Sequence, residues 1–171
     1  MSAASLPLML PLMPMLARCA PLAAACLLAG CGMFGGPKAV KPDWKSLHFV
    51  TAVDANNNSP LAIDMVLITD RALVDGVSAL SAAQYFAARD DMRRSQPDAL
   101  VVHSLELVPG QSIEVDPKPF RARKGWAALI FANYGTPGAH RLRLQLDSSG
   151  YRLQFNAQDA RLTDTKTGVS H

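Results

Sequence analysis

Polar and apolar positions alternate over residues 44–54, with Leu47, Phe49, Thr51 and Val53 on one side. A period of two is that of a strand buried on one face. Asn56-Asn57-Asn58-Ser59-Pro60 then interrupts the pattern. Asn tolerates left-handed backbone and Pro fixes its own φ, so this stretch predicts a turn or exposed loop. Residues 61–69 resume the alternation, with Ile63, Met65 and Leu67 facing in and Asp64 facing out. Two neighbouring strands with a polar connection predict a hairpin. The period then lengthens. Ala82, Tyr85, Ala88 and Met92 form one helical stripe over residues 79–93, Leu80, Ala83 and Ala87 its neighbour, and Phe86 lies beside them. An apolar stripe at helical spacing faces a core. Ser78 is the expected N-cap, and Ser95-Gln96-Pro97-Asp98 stops the helix.

The remainder predicts strands and turns. Residues 99–108 are followed by Pro109-Gly110, and residues 111–115 place Ile113 and Val115 inward. Pro117 and Pro119 end that strand, and a basic loop with Arg121, Arg123 and Lys124 follows. Residues 126–131 are apolar throughout, as in a central strand covered on both faces. Gly135-Thr136-Pro137-Gly138 turns the chain, and Leu142, Leu144 and Leu146 alternate with Arg141, Arg143 and Gln145. Asp147-Ser148-Ser149-Gly150 predicts a hairpin loop, after which Tyr151, Leu153 and Phe155 return; a last short strand lies near residues 160–162. Seven or eight short strands separated by turns argue for a mainly β fold, an antiparallel β-sandwich carrying one inserted helix.

The N-terminal segment has a different character. An apolar run after Arg18 closes in Leu28-Ala29-Gly30-Cys31, which resembles a bacterial lipobox. The run from Cys19 to Ala29 is too short to span a bilayer, which takes about 20 residues, and fits a secretory h-region. Residues 1–17 carry no charge and contain Pro7, Pro11 and Pro14; a start at Met13 or Met15 would set Arg18 as the usual basic region. The resemblance implies a signal peptide over residues 1–30, cleavage before Cys31, and covalent diacylglycerol and N-acyl lipid on Cys31. It further implies an outer-membrane address, because Gly32 rather than Asp follows the cysteine. Residues 31–43, with Gly32, Gly35, Gly36, Pro37 and Pro42, read as a flexible tether. A β-sandwich domain over residues 44–163 and a tail over residues 164–171 complete the expected organisation.

Charge and candidate chemistry narrow the function. Lys and Arg number 17 against 14 Asp and Glu, a balance that does not point to nucleic acid. The three cysteines are Cys19, Cys26 and Cys31, so lipidation leaves none for a disulfide or a nucleophile. His48, His103, His140 and His171 show no metal-binding spacing, and Gly-x-Ser-x-Gly is absent. His103 shares a face with Val101, Leu105 and Leu107 and is expected as a hydrogen-bonded core histidine. Asp90 and Asp91 are adjacent on a helix and point about 100° apart, so they form no facing acid–base pair. The Gly30–Gly35 match to a dinucleotide fingerprint straddles the cleavage site and opens no helix. The chain reads as a non-enzyme with no metal and no cofactor. Arg141, Arg143 and Arg152 are expected on the outer face of the last hairpin, a solvated surface that could also meet acidic groups.

The order of these elements resembles the outer-membrane lipoprotein of the type VI secretion system, the TssJ/VasD family. The matching features are the lipobox and tether, the loop Asn56-Asn57-Asn58 after the first strand, and Ser59-Pro60-Leu61 opening the second. Ala83-Gln84-Tyr85-Phe86-Ala87, Glu106-Leu107-Val108-Pro109-Gly110 and Trp126-Ala127-Ala128-Leu129-Ile130-Phe131-Ala132 follow in the same order. Where the family carries an Arg soon after that apolar strand, this chain has Asn133-Tyr134-Gly135. The resemblance spans about residues 47–155. It implies a transthyretin-like sandwich and a structural role, binding the periplasmic region of the IcmF-like (TssM-type) inner-membrane subunit. It also places the partner contact on Asn56, Asn57, Asn58 and Ser59, in the loop of residues 55–59. The alternative reading is a periplasmic envelope-binding or inhibitor lipoprotein with a sandwich domain unrelated to secretion.

Overall fold

The computed structural model describes residues 38–170. Cys31 and the expected signal peptide lie outside the described residues. Eight strands form within them: β1 (Ser46–Thr51), β2 (Leu61–Ile68), β3 (Leu100–Leu107), β4 (Ser112–Glu114), β5 (Ala127–Ala132), β6 (Arg141–Leu144), β7 (Gly150–Phe155) and β8 (Ala160–Asp164). They make two four-stranded sheets, ordered β4-β1-β7-β8 and β3-β2-β5-β6. The fold is the mainly β sandwich that the alternation predicts. Every strand pair is antiparallel except one: β1 runs parallel to β7, with Ser46 opposite Gly150 and Thr51 opposite Phe155.

Strands adjacent in sequence do not form the expected hairpins. β1 and β2 lie in different sheets, as do β6 and β7. The alternation that sets which side chains face in is the same whether a chain turns back beside itself or crosses to the opposite sheet. The inward faces are accordingly as expected. Leu47, Phe49, Leu61, Ile63, Met65, Leu67, Leu144, Leu146, Leu153 and Phe155 fill the space between the sheets. Val53, expected inward, lies beyond the end of β1 and is 79% exposed.

A second apolar layer sits on the outer face of β2 and β5. The segment between β2 and β3 holds a short helix α1 (Val74–Ala79) and a longer helix α2 (Ala82–Ser95), separated by extended backbone at Leu80. The N-cap of α2 is Ser81, not Ser78. Ser81 and Gln84 form a reciprocal capping box: the Gln84 N–H donates to Ser81 Oγ (3.3 Å) and the Ser81 N–H to Gln84 Oε1 (2.8 Å). Such a box satisfies two of the amides orphaned at a helix start. Ala82 and Tyr85 are buried, together with Val66, Ile68, Leu129 and Phe131 of the sheet beneath. Ala83 and Ala87 stay exposed. β5 is therefore covered on both faces, which explains its unbroken apolar run.

This helical cover also reverses the expectation for Asp64. Its side chain does leave the central core, but into the interface with α2, where it is 1% exposed. The Tyr85 hydroxyl donates to Asp64 Oδ2 at 2.9 Å, and Arg89 pairs with the same oxygen at 3.4 Å. Tyr85 itself stacks on Phe131, centroids 4.1 Å apart. His103 is half-buried and meets the Phe120 ring edge-on at 6.2 Å.

The two ends of the sandwich differ. The lower end is where the described residues begin: Val40, inside the segment expected as tether, exchanges two backbone hydrogen bonds with Gly125 (2.9 and 2.8 Å). A third short helix, α3 (Lys118–Arg121), lies near it, and Arg121 Nε donates to the Trp44 carbonyl at 2.9 Å. The upper end gathers the loops after β1, β3, β5 and β7. Beyond β8 the chain turns at Gly168 and Ser170 bridges back to Thr163.

Candidate partner-binding site

The loop between β1 and β2 sits at the upper end, and three consecutive residues in it hold positive φ: Asn56 (47°), Asn57 (54°) and Asn58 (61°). This region costs most L-residues of order 1–2 kcal/mol, and Asn is among the few side chains that enter it routinely. The three asparagines thus suit the backbone path, independently of any partner.

They differ in what their side chains do. Asn56 is buried and ties the upper end together: its Oδ1 accepts from the Gly135 N–H at 2.9 Å and its Nδ2 donates to the Pro60 carbonyl at 2.9 Å. Its own N–H donates to the Asn156 carbonyl at 3.3 Å. Asn57, Asn58 and Ser59 are exposed. Of the four loop residues expected as contacts, three are displayed and Asn56 is the bracket that displays them.

Neighbouring loops brace this one. The Gly110 N–H donates to the Ala52 carbonyl (3.0 Å), and the Thr51 hydroxyl donates to the Val108 carbonyl (2.6 Å) while accepting from the Gln111 N–H (2.8 Å). The Tyr134 hydroxyl donates to the Asp159 carbonyl at 2.7 Å, and the Tyr134 and His140 rings lie 4.7 Å apart. Burial, with Asp159 nearby, pushes the Tyr134 phenol above its ordinary range.

This bracing displays two apolar side chains that the sequence pattern did not single out: Val53, 79% exposed, and Val108, 51% exposed. Val53 Cγ1 would lie 3.6 Å from a Cβ built on Gly110, so the two loop tips adjoin. The only sequence signal for Val53 is that Asp54 and the asparagine run begin immediately after it. The upper loops, residues 52–60, 108–111, 133–140 and 156–159, contain no Lys or Arg and two acids, Asp54 and Asp159. The surface therefore offers carboxamides, a hydroxyl, apolar spots and two carboxylates, of which Asp159 is paired with Arg161 at 3.3 Å. It suits docking by shape and hydrogen bonding rather than by charge.

The arginine face expected from residues 141, 143 and 152 is not one surface. Arg141 and Arg143 are on β6 and Arg152 is on β7, in the other sheet. Arg141 is engaged within the fold, its Nη1 donating to the Ala79 and Leu80 carbonyls at 3.0 and 2.7 Å. Cationic donors commonly close a helix C-terminus this way. Arg143 and Arg152 are exposed. Elsewhere the surface carries open clefts, one of about 460 Å³ between the end of α2, β3 and α3, lined by Arg93, Asp98, Val101 and Arg123 among others. Among the described residues no cluster of His, Cys, Asp or Glu is arranged to hold a metal.

No protein-family model matches this chain, and no curated protein does. Solved structures do. The type VI secretion lipoprotein TssJ1 from Pseudomonas aeruginosa superposes with a TM-score of 0.52 at 16% identity, covering 74% of this chain and 97% of that one. Serratia marcescens Lip, described as a membrane-bound component of the type VI secretion system, gives 0.48 at 14% identity over 70% and 96%. A chain in a structure described as the TssM C-terminal domain from EAEC gives 0.49 at 14% identity over 70% and 97%. The TssJ1 superposition carries the comparison, and at such identity it speaks of fold alone. This chain has a TssJ-like fold.

Proposed function

We propose that this protein is a non-enzymatic, lipid-anchored component of a type VI secretion membrane complex, held in the outer membrane through acylated Cys31. Its upper loops bind the periplasmic region of an IcmF-like inner-membrane subunit. The contact runs through Asn57, Asn58 and Ser59, extended by Val53 and Val108. The observation that carries this reading is the TssJ-like fold displaying the same loop that the sequence resemblance singles out. The lipobox supports the anchor, since two or three acyl chains hold a protein far more firmly than one.

Affinity capture of the full-length protein from envelopes of its native host tests the proposal. The expected result is recovery of an IcmF-like subunit, reduced at least tenfold by Asn57→Gly, Asn58→Gly and Ser59→Ala together. Glycine accepts positive φ, so that variant keeps the loop path while removing its side chains. Absence of such a subunit under conditions where the secretion system is expressed would overturn the role. Undiminished recovery with the triple variant would overturn the loop assignment.

A further inference from the structure

The lower end of the sandwich has the opposite character to the upper loops. Lys38 and Lys41 flank Val40, whose bridge to Gly125 sets them beside Arg123 and Lys124. The chain then runs across the bottom of both sheets, with the Lys45 N–H donating to the Ser149 carbonyl at 2.7 Å. Arg121 reaches the Trp44 carbonyl from α3. The side chains of all six cations are exposed. Arg71, Lys118 and Lys166 also lie at this end, and the acids there are Asp43, Asp70, Asp98, Asp116, Asp147 and Asp164, of which Asp98 is engaged by Arg123 at 3.3 Å and Asp116 by Lys118 at 3.4 Å. Among the described residues no carboxylate pairs with Lys38, Lys41, Lys45 or Lys124. The upper loops hold no Lys or Arg at all. Near-neutral composition thus hides a domain with one cationic pole.

We infer that this pole is a second membrane-attachment surface, docking on the anionic headgroups of the phospholipid leaflet that holds the Cys31 acyl chains. The inference rests on the lipid-anchor reading. Cys31 lies seven residues before Lys38. Seven residues span at most about 25 Å when fully extended, so the cationic pole stays close to the headgroups. Lysine clusters within a Debye length of an anionic leaflet are attracted to it, each by an amount equivalent to about fivefold in partition. An acidic protein would meet the same charges, but only the bilayer is delivered to this pole by the chain itself. Docking there would point the upper loops away from the membrane.

The acylated mature protein would contain no free thiol, because Cys19 and Cys26 leave with the signal and Cys31 is modified. Single labels are therefore available at exposed Ala122→Cys near the lower pole and exposed Gln158→Cys in the upper loops. The full lipidated protein is placed in phosphatidylcholine vesicles with or without phosphatidylglycerol, carrying a headgroup-depth quencher. Quenching of the Ala122 label should rise on adding phosphatidylglycerol and fall at high salt. It should also fall at least tenfold, as a ratio of docked to free domain, with Lys38→Glu, Lys41→Glu and Lys124→Glu together. The Gln158 label should not respond.

Quenching of Ala122 that ignores lipid charge, salt and the lysine changes would overturn the inference even with acyl chains in place. So would a response shared by the Gln158 label. Capture of an acidic protein through the same lysines, with no response to phosphatidylglycerol, would also overturn it. The intact mass of each preparation reports the acyl chains separately. A protein without them that still binds phosphatidylglycerol vesicles at low salt would keep the surface and discard the anchor.

Discussion

At the scale of single residues, this chain separates groups that build a surface from groups displayed on it. Asn56 is the clearest case, since both ends of its carboxamide are used inside the fold. Asn56→Ala leaves the Gly135 N–H and the Pro60 carbonyl without that partner, at a cost of about 1–3 kcal/mol. Asn57→Gly and Asn58→Gly should move stability by less than about 0.5 kcal/mol, because exposed side chains are lost and the backbone geometry is kept. Urea unfolding of the three variants checks both statements. Tyrosine ionisation offers an independent check on packing. The chain has three tyrosines, and burial pushes all of Tyr85, Tyr134 and Tyr151 above the ordinary 10.0. Asp64 adds to the shift at Tyr85. Unfolded tyrosines lose protons near 10.0 while the folded ones keep theirs, so the unfolded state binds fewer protons there and stability falls as pH rises. The tyrosine contribution should be flat below about pH 9 and lost progressively above pH 10. Tyrosinate absorbance of the folded protein should accordingly rise only above the ordinary range.

At the scale of elements, the facing of strands was legible and their partners were not. Leu47, Phe49, Ile63, Met65 and Leu144 announce their inward side through period-two alternation. Nothing in that alternation distinguishes a hairpin from a crossing between sheets, so Asn56-Asn57-Asn58 and Asp147-Ser148-Ser149 read as hairpin turns when both connect different sheets. The parallel β1–β7 pair is invisible for the same reason. Asp64 was misread because an outward strand position is solvated only if no helix covers it. The helix break was written in Ser81-Ala82-Ala83-Gln84, a capping-box spacing one turn later than Ser78. At the upper end, the loop was legible from its asparagines, whereas the exposure of Val53 and Val108 depends on how four loops meet. The parallel pair has its own test. A Cβ on Gly150 would sit 2.5 Å from the Ser46 carbonyl oxygen. Gly150→Ala should therefore destabilise the fold by about 1–3 kcal/mol, the usual range for a forced overlap, measured as a lowered urea midpoint.

At the scale of the whole molecule, the sandwich has two unlike poles. Unpaired lysines gather where the described chain begins, and loops without Lys or Arg gather at the opposite end. The first pole is proposed to face a membrane and the second a protein partner. Site-specific photocrosslinking of the full-length protein in native envelopes tests this directly, with the photoreactive residue replacing Ser59 in one strain and Ala122 in another. Ser59 should crosslink to an IcmF-like subunit, and Ala122 to phospholipid and not to that subunit. Crosslinking of the subunit from Ala122 and not from Ser59 would contradict this placement of the poles.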